Sequence, residues 1–252
     1  MTKLGIQISS LRDYLQTPED VTEAFRKVSE IGYQFIQIQW INPEIPRAFI
    51  HAALKENKLK CLGTQDRFDD VVENLDTVIL DNALWGGTYV TVSGIPDRYS
   101  SYEGILNFCK ELNRLSEYVG TKGMILAFHP RSKDVFDYSK QNSLEIIFEN
   151  TRPEMQFLLD IYQIISADLD PIAWIHKVKG RNDLIHFKDG TTLSSGQEIL
   201  KPIGKGSIDW KPIFEATLET DIHYAFAEQE TFDKEPFTCL KESYDYLTEH
   251  NF

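Results

Sequence analysis

The sequence predicts an α/β fold, a single-domain (β/α)₈ TIM barrel spanning residues 1–252. Short β-branched or aromatic runs alternate with longer amphipathic segments along the whole chain, the strand-like runs number eight, and 252 residues is a common length for such a barrel. With 42% hydrophobic residues the chain can bury one substantial core, and no repeat, low-complexity tract or linker divides it.

In chain order the predicted strands are 3–8 (KLGIQI), 35–40 (FIQIQW), 59–64 (LKCLGT), 89–93 (YVTVS), 123–129 (GMILAFH), 155–160 (MQFLLD), 184–188 (LIHFK) and 223–229 (HYAFAEQ). Between them the apolar spacing predicts helices at about 18–31, 43–57, 68–85, 103–119, 142–150, 168–180, 209–220 and 236–249. Thr17 before Pro18, with Glu19 and Asp20 in the first turn, is a helix start, and Asn42 before Pro43 reads the same way. Gly32, Gly87, Gly120 and Gly180 fall near helix ends, where a positive φ is often wanted. A doubly wound open sheet would alternate similarly, but its phosphate-cradling signatures are missing: no GxGxxG follows the first strand and no GxxxxGK[ST] occurs.

The net charge of −13 works against binding a nucleic-acid backbone, whose affinity comes mainly from Lys and Arg. Cys61, Cys109 and Cys239 are odd in number and widely spaced, which suggests small core residues rather than disulfides or a thiolate zinc site. No stretch approaches the roughly 20 apolar residues of a membrane helix, and MTKLGIQISS lacks the zones of a signal peptide. A cytoplasmic protein without membrane partners is therefore expected, with homo-oligomerisation left open.

Polar groups end four successive strands on their carboxyl sides: His129, Asp160, His186 before Lys188-Asp189, and Glu228-Gln229-Glu230. In a barrel these ends converge on one rim, where active sites of this fold sit. Because residues two apart share a strand face, Lys188 follows His186, Glu230 and Phe226 follow Glu228, and Arg131 and Ala127 follow His129. Charge in an apolar interior is costly, and a cation shared by His129, Asp160, His186 and Glu228 removes that cost. Two nitrogens and two carboxylates suit Mn²⁺, Zn²⁺, Fe²⁺ or Co²⁺ better than Ca²⁺, with Mg²⁺ a further candidate. An internal hydrogen-bond and salt-bridge network is the alternative. His51, His176, His223 and His250 fall in helices, at an amino-terminal strand end and in the tail, and read as surface or packing residues.

Over residues 121–230 the segments LAFHP, LLDIYQ, DPIAWIHKVKGRNDLIHFKD, IGKGSIDW and AFAEQE resemble the sugar phosphate isomerase/epimerase family, the xylose isomerase-like barrels also described as AP endonuclease family 2. The resemblance implies a divalent cation held by Asp160, His186, Glu228 and the strand-five position, which falls on His129 where many relatives have Glu. It also implies proton abstraction beside a carbonyl by paired glutamates. With His129 in the first place that symmetric pair is absent, which leaves Glu228 as the base, with His129 or Lys188 as alternative catalytic groups.

Lys188 follows the family's HxKD pattern and could reach the metal or substrate oxygens, or instead pair with Asp189 or Glu230. Arg131 could hold a phosphate or carboxylate bidentately, or be merely solvated. Gln163 occupies a substrate-contacting position of relatives, while Gln65 and Trp40 suit pocket lining, the indole offering a face to a sugar ring. Residues 190–206, GTTLSSGQEILKPIGKG, form a long mixed segment whose length suggests a flexible cover. Gly204, Gly206 and Asp209 are expected to be structural, as turn glycines and a helix cap.

These features predict a metal-dependent isomerase or epimerase of a small sugar, sugar phosphate or keto-sugar. A lyase or dehydratase on a related keto-sugar or inosose, and a catalytically altered sugar-binding barrel, are the alternatives. Endonuclease action on abasic DNA is disfavoured by the negative charge and by having only two strand-end histidines.

Overall fold

In the computed structural model, which describes residues 2–192 and 197–252, the barrel strands are β1 (Lys3–Gln7), β2 (Phe35–Ile38), β3 (Lys60–Arg67), β4 (Tyr89–Ser93), β5 (Ile125–His129), β6, β7 (Leu184–Phe187) and β8 (Tyr224–Ala227). Strand β6 consists of two pieces, Gln156–Phe157 and Leu159–Asp160, interrupted at Leu158. All neighbours are parallel, in the order β6-β5-β4-β3-β2-β1-β8-β7. The ring closes through β6, whose first piece pairs with β5 and second with β7. The predicted (β/α)₈ barrel is thus the fold observed.

The helices are α1 (Pro18–Ile31), α2 (Arg47–Glu56), α3 (Phe68–Glu73), α4 (Leu75–Trp85), α5 (Tyr102–Thr121), α6 (Ser143–Asn150), α7 (Ile161–Ser166), α8 (Pro171–Lys177), α9 (Trp210–Leu218) and α10 (Pro236–Glu249). Helix α1 starts as its sequence dictates: Thr17 Oγ1 accepts from the Asp20 amide and Asp20 Oδ2 accepts from the Thr17 amide, with Pro18 at the first helical position. Along α5, Ile105, Phe108, Leu112, Leu115 and Val119 recur every three or four residues and are buried, each contributing about 1.5–3 kcal/mol.

Several boundaries differ from the sequence expectation for local reasons. Asn42 does not open α2. Its Oδ1 accepts from the Glu44 amide in a side-chain turn, and the helix begins at Arg47 behind Pro46. The expected helix 68–85 breaks at Asn74, and a short helix, α7, follows Asp160 directly because its carboxylate accepts from the Gln163 amide. A 3₁₀ helix at Ile8–Tyr14 was not expected. Gly32 and Gly180 have positive φ, but at the other two sites the role falls on Gly86 and Gly123 rather than Gly87 and Gly120. The three cysteines are free and buried, as expected. Among the described residues no helix is long and apolar enough to cross a membrane.

One irregularity sets which side chains face inward on β3. The β2–β3 register slips by one residue, with Ile36 opposite Cys61 but Gln37 opposite Gly63. Beyond this bulge Thr64 points outward, its Oγ1 accepting from Asn82 Nδ2 of α4, while Gln65 pairs in register with inward-facing Thr91. Gly63 is required there, since a Cβ would lie 2.0 Å from the Tyr89 carbonyl oxygen. Gly63→Ala should therefore destabilise the fold by about 2 kcal/mol or more, read as a lower urea midpoint. An unchanged midpoint would show that the β3–β4 contact relaxes freely.

Candidate metal centre

The barrel interior is layered. Near the amino ends of the strands Phe35, Tyr89, Leu158, Leu184 and Phe226 form an apolar plug. Strand parity makes the residues two further along face the same interior, so Asp160 stands above Leu158, His186 above Leu184 and Glu228 above Phe226. His129 ends β5 on the same rim.

Just above the plug runs a buried polar chain. Gln7 Nε2 donates to Gln37 Oε1 at 3.2 Å, and Gln37 Nε2 donates to Thr91 Oγ1 at 3.1 Å. Gln37 Oε1 lies 2.7 Å from His186 Nε2. An amide oxygen only accepts, so this nitrogen carries a proton and Nδ1 is the ring nitrogen left to face the cluster. That nitrogen is 2.9 Å from Glu228 Oε2, an approach that a proton on Nδ1, or a cation shared with the carboxylate, makes favourable.

His129, Asp160, His186 and Glu228 each offer a ligand atom, and these four atoms lie within 4.8 Å of one another. On each residue one buried atom lacks a hydrogen-bond partner: His129 Nε2, Asp160 Oδ2, His186 Nδ1 and Glu228 Oε2. The residues are between 0% and 5% exposed, so water does not compensate them. The other atoms are engaged: Glu228 Oε1 accepts from Ser9 Oγ at 3.2 Å, and His129 Nδ1 is 3.3 Å from Ser93 Oγ. A donor set of two imidazole nitrogens and two carboxylates, orphaned and convergent, fits a divalent transition ion.

Lys188 completes the cluster. Its Nζ donates to Glu230 Oε1 at 2.8 Å and lies 3.3 Å from Asp160 Oδ2 and 3.4 Å from Glu228 Oε2. Burial works against its charge, but the three carboxylates more than offset that and hold the ammonium well above the usual lysine range. Burial, and then repulsion from His186, lowers His129 to about 3, so it is neutral near pH 7. Asp160 is raised by burial, and Glu230 is raised to about 7 by burial and by Glu228. Burial pushes Glu228 up as well, yet Lys188 and His186 outweigh it and hold this carboxyl well below its usual range.

The remaining expected site residues are dispersed. Arg131 closes its fork on Asp134, with Nε and one terminal nitrogen each 3.0 Å from a carboxylate oxygen, so the bidentate geometry expected for a substrate anion is already used. Gln163 Oε1 accepts from the Ser132 amide at 2.8 Å and ties α7 to the loop after β5. Gln65 is buried with Oε1 unpaired, facing the interior. Trp40 has φ 60° and is 46% exposed, and it lines a different cavity outside the barrel wall. Lys188 does not pair with Asp189, whose Oδ2 accepts from the Gly204 and Gly206 amides and from Trp210 Nε1.

Asp189 thereby anchors an antiparallel hairpin, Asp189–Thr192 with Glu198–Lys201, within the segment expected to be a flexible cover; residues 193–196 lie outside the described residues. Asp209 sits at the start of α9 without a side-chain cap bond, contrary to expectation; the third helical residue is Pro212, which has no N–H for the cap to accept from. The sequence reading missed Gln7, Gln37, Thr91 and Ser9. Glutamines inside otherwise apolar strands, KLGIQI and FIQIQW, were the available signal.

Residues 25–250 match the family model of the xylose isomerase-like TIM barrel, and the chain belongs to that family. A search of curated protein sequences returned no match. Among solved structures, a sugar phosphate isomerase/epimerase from Parabacteroides distasonis is similar, with a TM-score of 0.81 and 19% identity over 98% of this chain and 93% of that one. The 3-keto-D-glucoside 4-epimerase YcjR of E. coli gives a TM-score of 0.72 and 16% identity over 99% and 100%. The probable 3-DHS dehydratase AsbF of Bacillus anthracis gives 0.74 and 16% over 98% and 99%. At these identities the likeness establishes the fold alone.

The cavity beside Trp40 has a volume of about 260 Å³ and is lined also by Asn42, Arg47, Asp66, Asp81 and Trp85, between β2, β3 and the helices α2 and α4. Burial, then the charges of Asp70 and Asp81, push Asp66 up to about 7. The folded protein therefore binds a proton here that the unfolded chain has released, so stability falls as pH rises from about 4 to 7. Asp66→Asn should stabilise the protein by about 1–3 kcal/mol at pH 8 and have no effect near pH 4, measured by denaturant titration at both values. An equal effect at both would assign the change to packing.

Proposed function

We propose that this chain is a metal-dependent isomerase or epimerase that removes a proton from the carbon beside the carbonyl of a small sugar, sugar phosphate or keto-sugar. The observation that carries this reading is the convergence of four orphaned donor atoms at the carboxyl rim of the barrel. The names of two structural neighbours, a sugar phosphate isomerase/epimerase and a 3-keto-D-glucoside 4-epimerase, support the substrate class. His129, Asp160, His186 and Glu228 would hold the ion, with Mn²⁺, Zn²⁺, Fe²⁺ or Co²⁺ best matched to the donors and Mg²⁺ a further candidate. Bound there, a divalent cation supplies Lewis-acid polarisation of a carbonyl and stabilises negative charge developing on its oxygen.

Glu228 is the base in this reading. It is held ionised by Lys188 and His186, and its Oε1 faces a hydroxyl rather than a fixed donor. When Oε1 takes up the substrate proton, the Ser9 hydroxyl can turn from donating to accepting, so the protonated carboxyl is not left unpaired. Epimerisation needs a second group to return the proton on the opposite face; His129 is neutral, with Nε2 toward the ion and Nδ1 beside Ser93, so the group here with a proton to give is the Lys188 ammonium. A single base suffices for the carbon-bound proton of isomerisation, which the same carboxyl moves between adjacent carbons while a hydroxyl proton passes from one substrate oxygen to the other. Lys188 beside Glu230 favours a second reading, dehydration of a keto-sugar or inosose, because a buried ammonium can protonate a departing hydroxyl.

Asp160→Ala and His186→Ala should each lose most of the affinity for Mn²⁺ or Zn²⁺ in calorimetric titration, about 100-fold or more, since each removes a direct ligand. Unchanged binding in both would make the cluster a structural network. Glu228→Gln, checked for metal content, should retain substrate binding but lose about 10²–10⁴-fold in deuterium uptake from heavy water into ketose, inosose or phosphorylated substrates. Exchange at the wild-type rate would move the base to His129 or Lys188, and loss of water from the substrate would select the dehydratase reading.

A further inference from the structure

We propose that Lys188 is a resident cation of this centre, one that shares its carboxylates with a divalent ion and sets how tightly that ion is held. The inference rests on the metal-dependent reading above. Lys188 Nζ lies 3.3 Å from Asp160 Oδ2 and 3.4 Å from Glu228 Oε2, the carboxylate oxygens that face the cluster without a hydrogen bond. Its hydrogen bond, at 2.8 Å, goes instead to Glu230 Oε1, outside the four-residue donor set. The side chain is 5% exposed, so the ammonium is committed to these partners rather than to solvent.

Parity explains the placement: two residues after His186, Lys188 must follow it into the barrel. A first-row divalent ion binds carboxylate oxygen at about 2.0–2.2 Å, well inside the ammonium distances. Both cations can therefore face the same two oxygens, but they repel each other where water does not screen them. Glu230 makes the arrangement tolerable by giving the ammonium an anionic partner of its own. Three carboxylates and one ammonium leave two negative charges, which one divalent ion balances.

Removing the ammonium should then act oppositely on the two states: the metal-free protein loses the counter-charge of two buried carboxylates, and the metal-loaded protein loses a repulsive neighbour. The test is K188M, which keeps the length and drops the charge, titrated with Mn²⁺ and Zn²⁺ against a fluorescent chelator and melted in EDTA. Metal affinity is expected to rise about tenfold or more while the melting temperature in EDTA falls below wild type. A variant that folds only with metal supports the proposal in the same sense. If K188M binds neither metal more tightly than wild type, the proposal is overturned.

Should K188M fold under neither condition, E230Q decides. There the ammonium is left to Asp160 and Glu228, so metal affinity should fall about tenfold, and an unchanged affinity overturns the proposal. Wild-type protein that takes up no metal would sink the reading of the previous subsection. If K188M then gains binding, Lys188 has taken the ion's place and the inference stands; if it does not, both fall.

Discussion

The structure turns on the burial of opposed charges inside a closed barrel. Asp160, His186 and Glu228 stand directly above an apolar plug, and an isolated carboxylate in such surroundings would neutralise itself rather than remain charged. The protein answers with compensation in stages. Hydrogen bonds from Ser9 and the Gln163 amide satisfy the outward-turned oxygens, Gln37 orients the His186 ring, and Lys188 supplies one positive charge. What is left unsatisfied is one atom on each of four residues, all directed at a common place. Arrangements of this kind are strongly destabilising when one partner is removed, which is why the supporting layer is as specific as the cluster itself.

Closure of the barrel makes that layer possible. Each strand offers alternate residues to the interior, so a single polar residue per strand at one height becomes a ring of neighbours. Gln7, Gln37 and Thr91 come from β1, β2 and β4, and their bonds run across the barrel to His186 on β7. The bulge at Gly63 belongs to the same design, because it turns Gln65 inward and sends Thr64 to Asn82 of α4. Without the slip, the alternation along β3 would present Thr64 and Asp66 to the interior instead.

How much of this was legible in the sequence follows from the same geometry. Strand-end residues at His129, Asp160, His186 and Glu228 could be placed together because a barrel has one carboxyl rim and a fixed parity. The contacts of Arg131 and Trp40 could not, since they depend on turns after the strands: Arg131 meets Asp134 three residues on, and Trp40 adopts a left-handed backbone that lets it line the outer cavity. The role of Asp189 was hidden for a similar reason, as its amide partners at Gly204 and Gly206 lie across a hairpin whose pairing no local pattern announces. Gln37 was readable only as an anomaly, a polar residue in an apolar strand.

Within the cluster, position rather than residue type divides the labour. Asp160, Glu228 and Glu230 carry the same functional group within one small volume, yet burial raises the first and last while Lys188 and His186 hold Glu228 ionised. Separating like groups in this way is how one site can contain a proton acceptor and proton carriers at a single pH. A histidine at the end of strand five sharpens the separation, because an imidazole kept neutral by its surroundings offers a lone pair without adding a further negative charge. A fourth carboxylate would have deepened the imbalance that Lys188 already offsets. The histidine at strand five and the lysine two residues after His186 thus act in one direction, lowering the negative charge that the carboxyl rim of the barrel must hold.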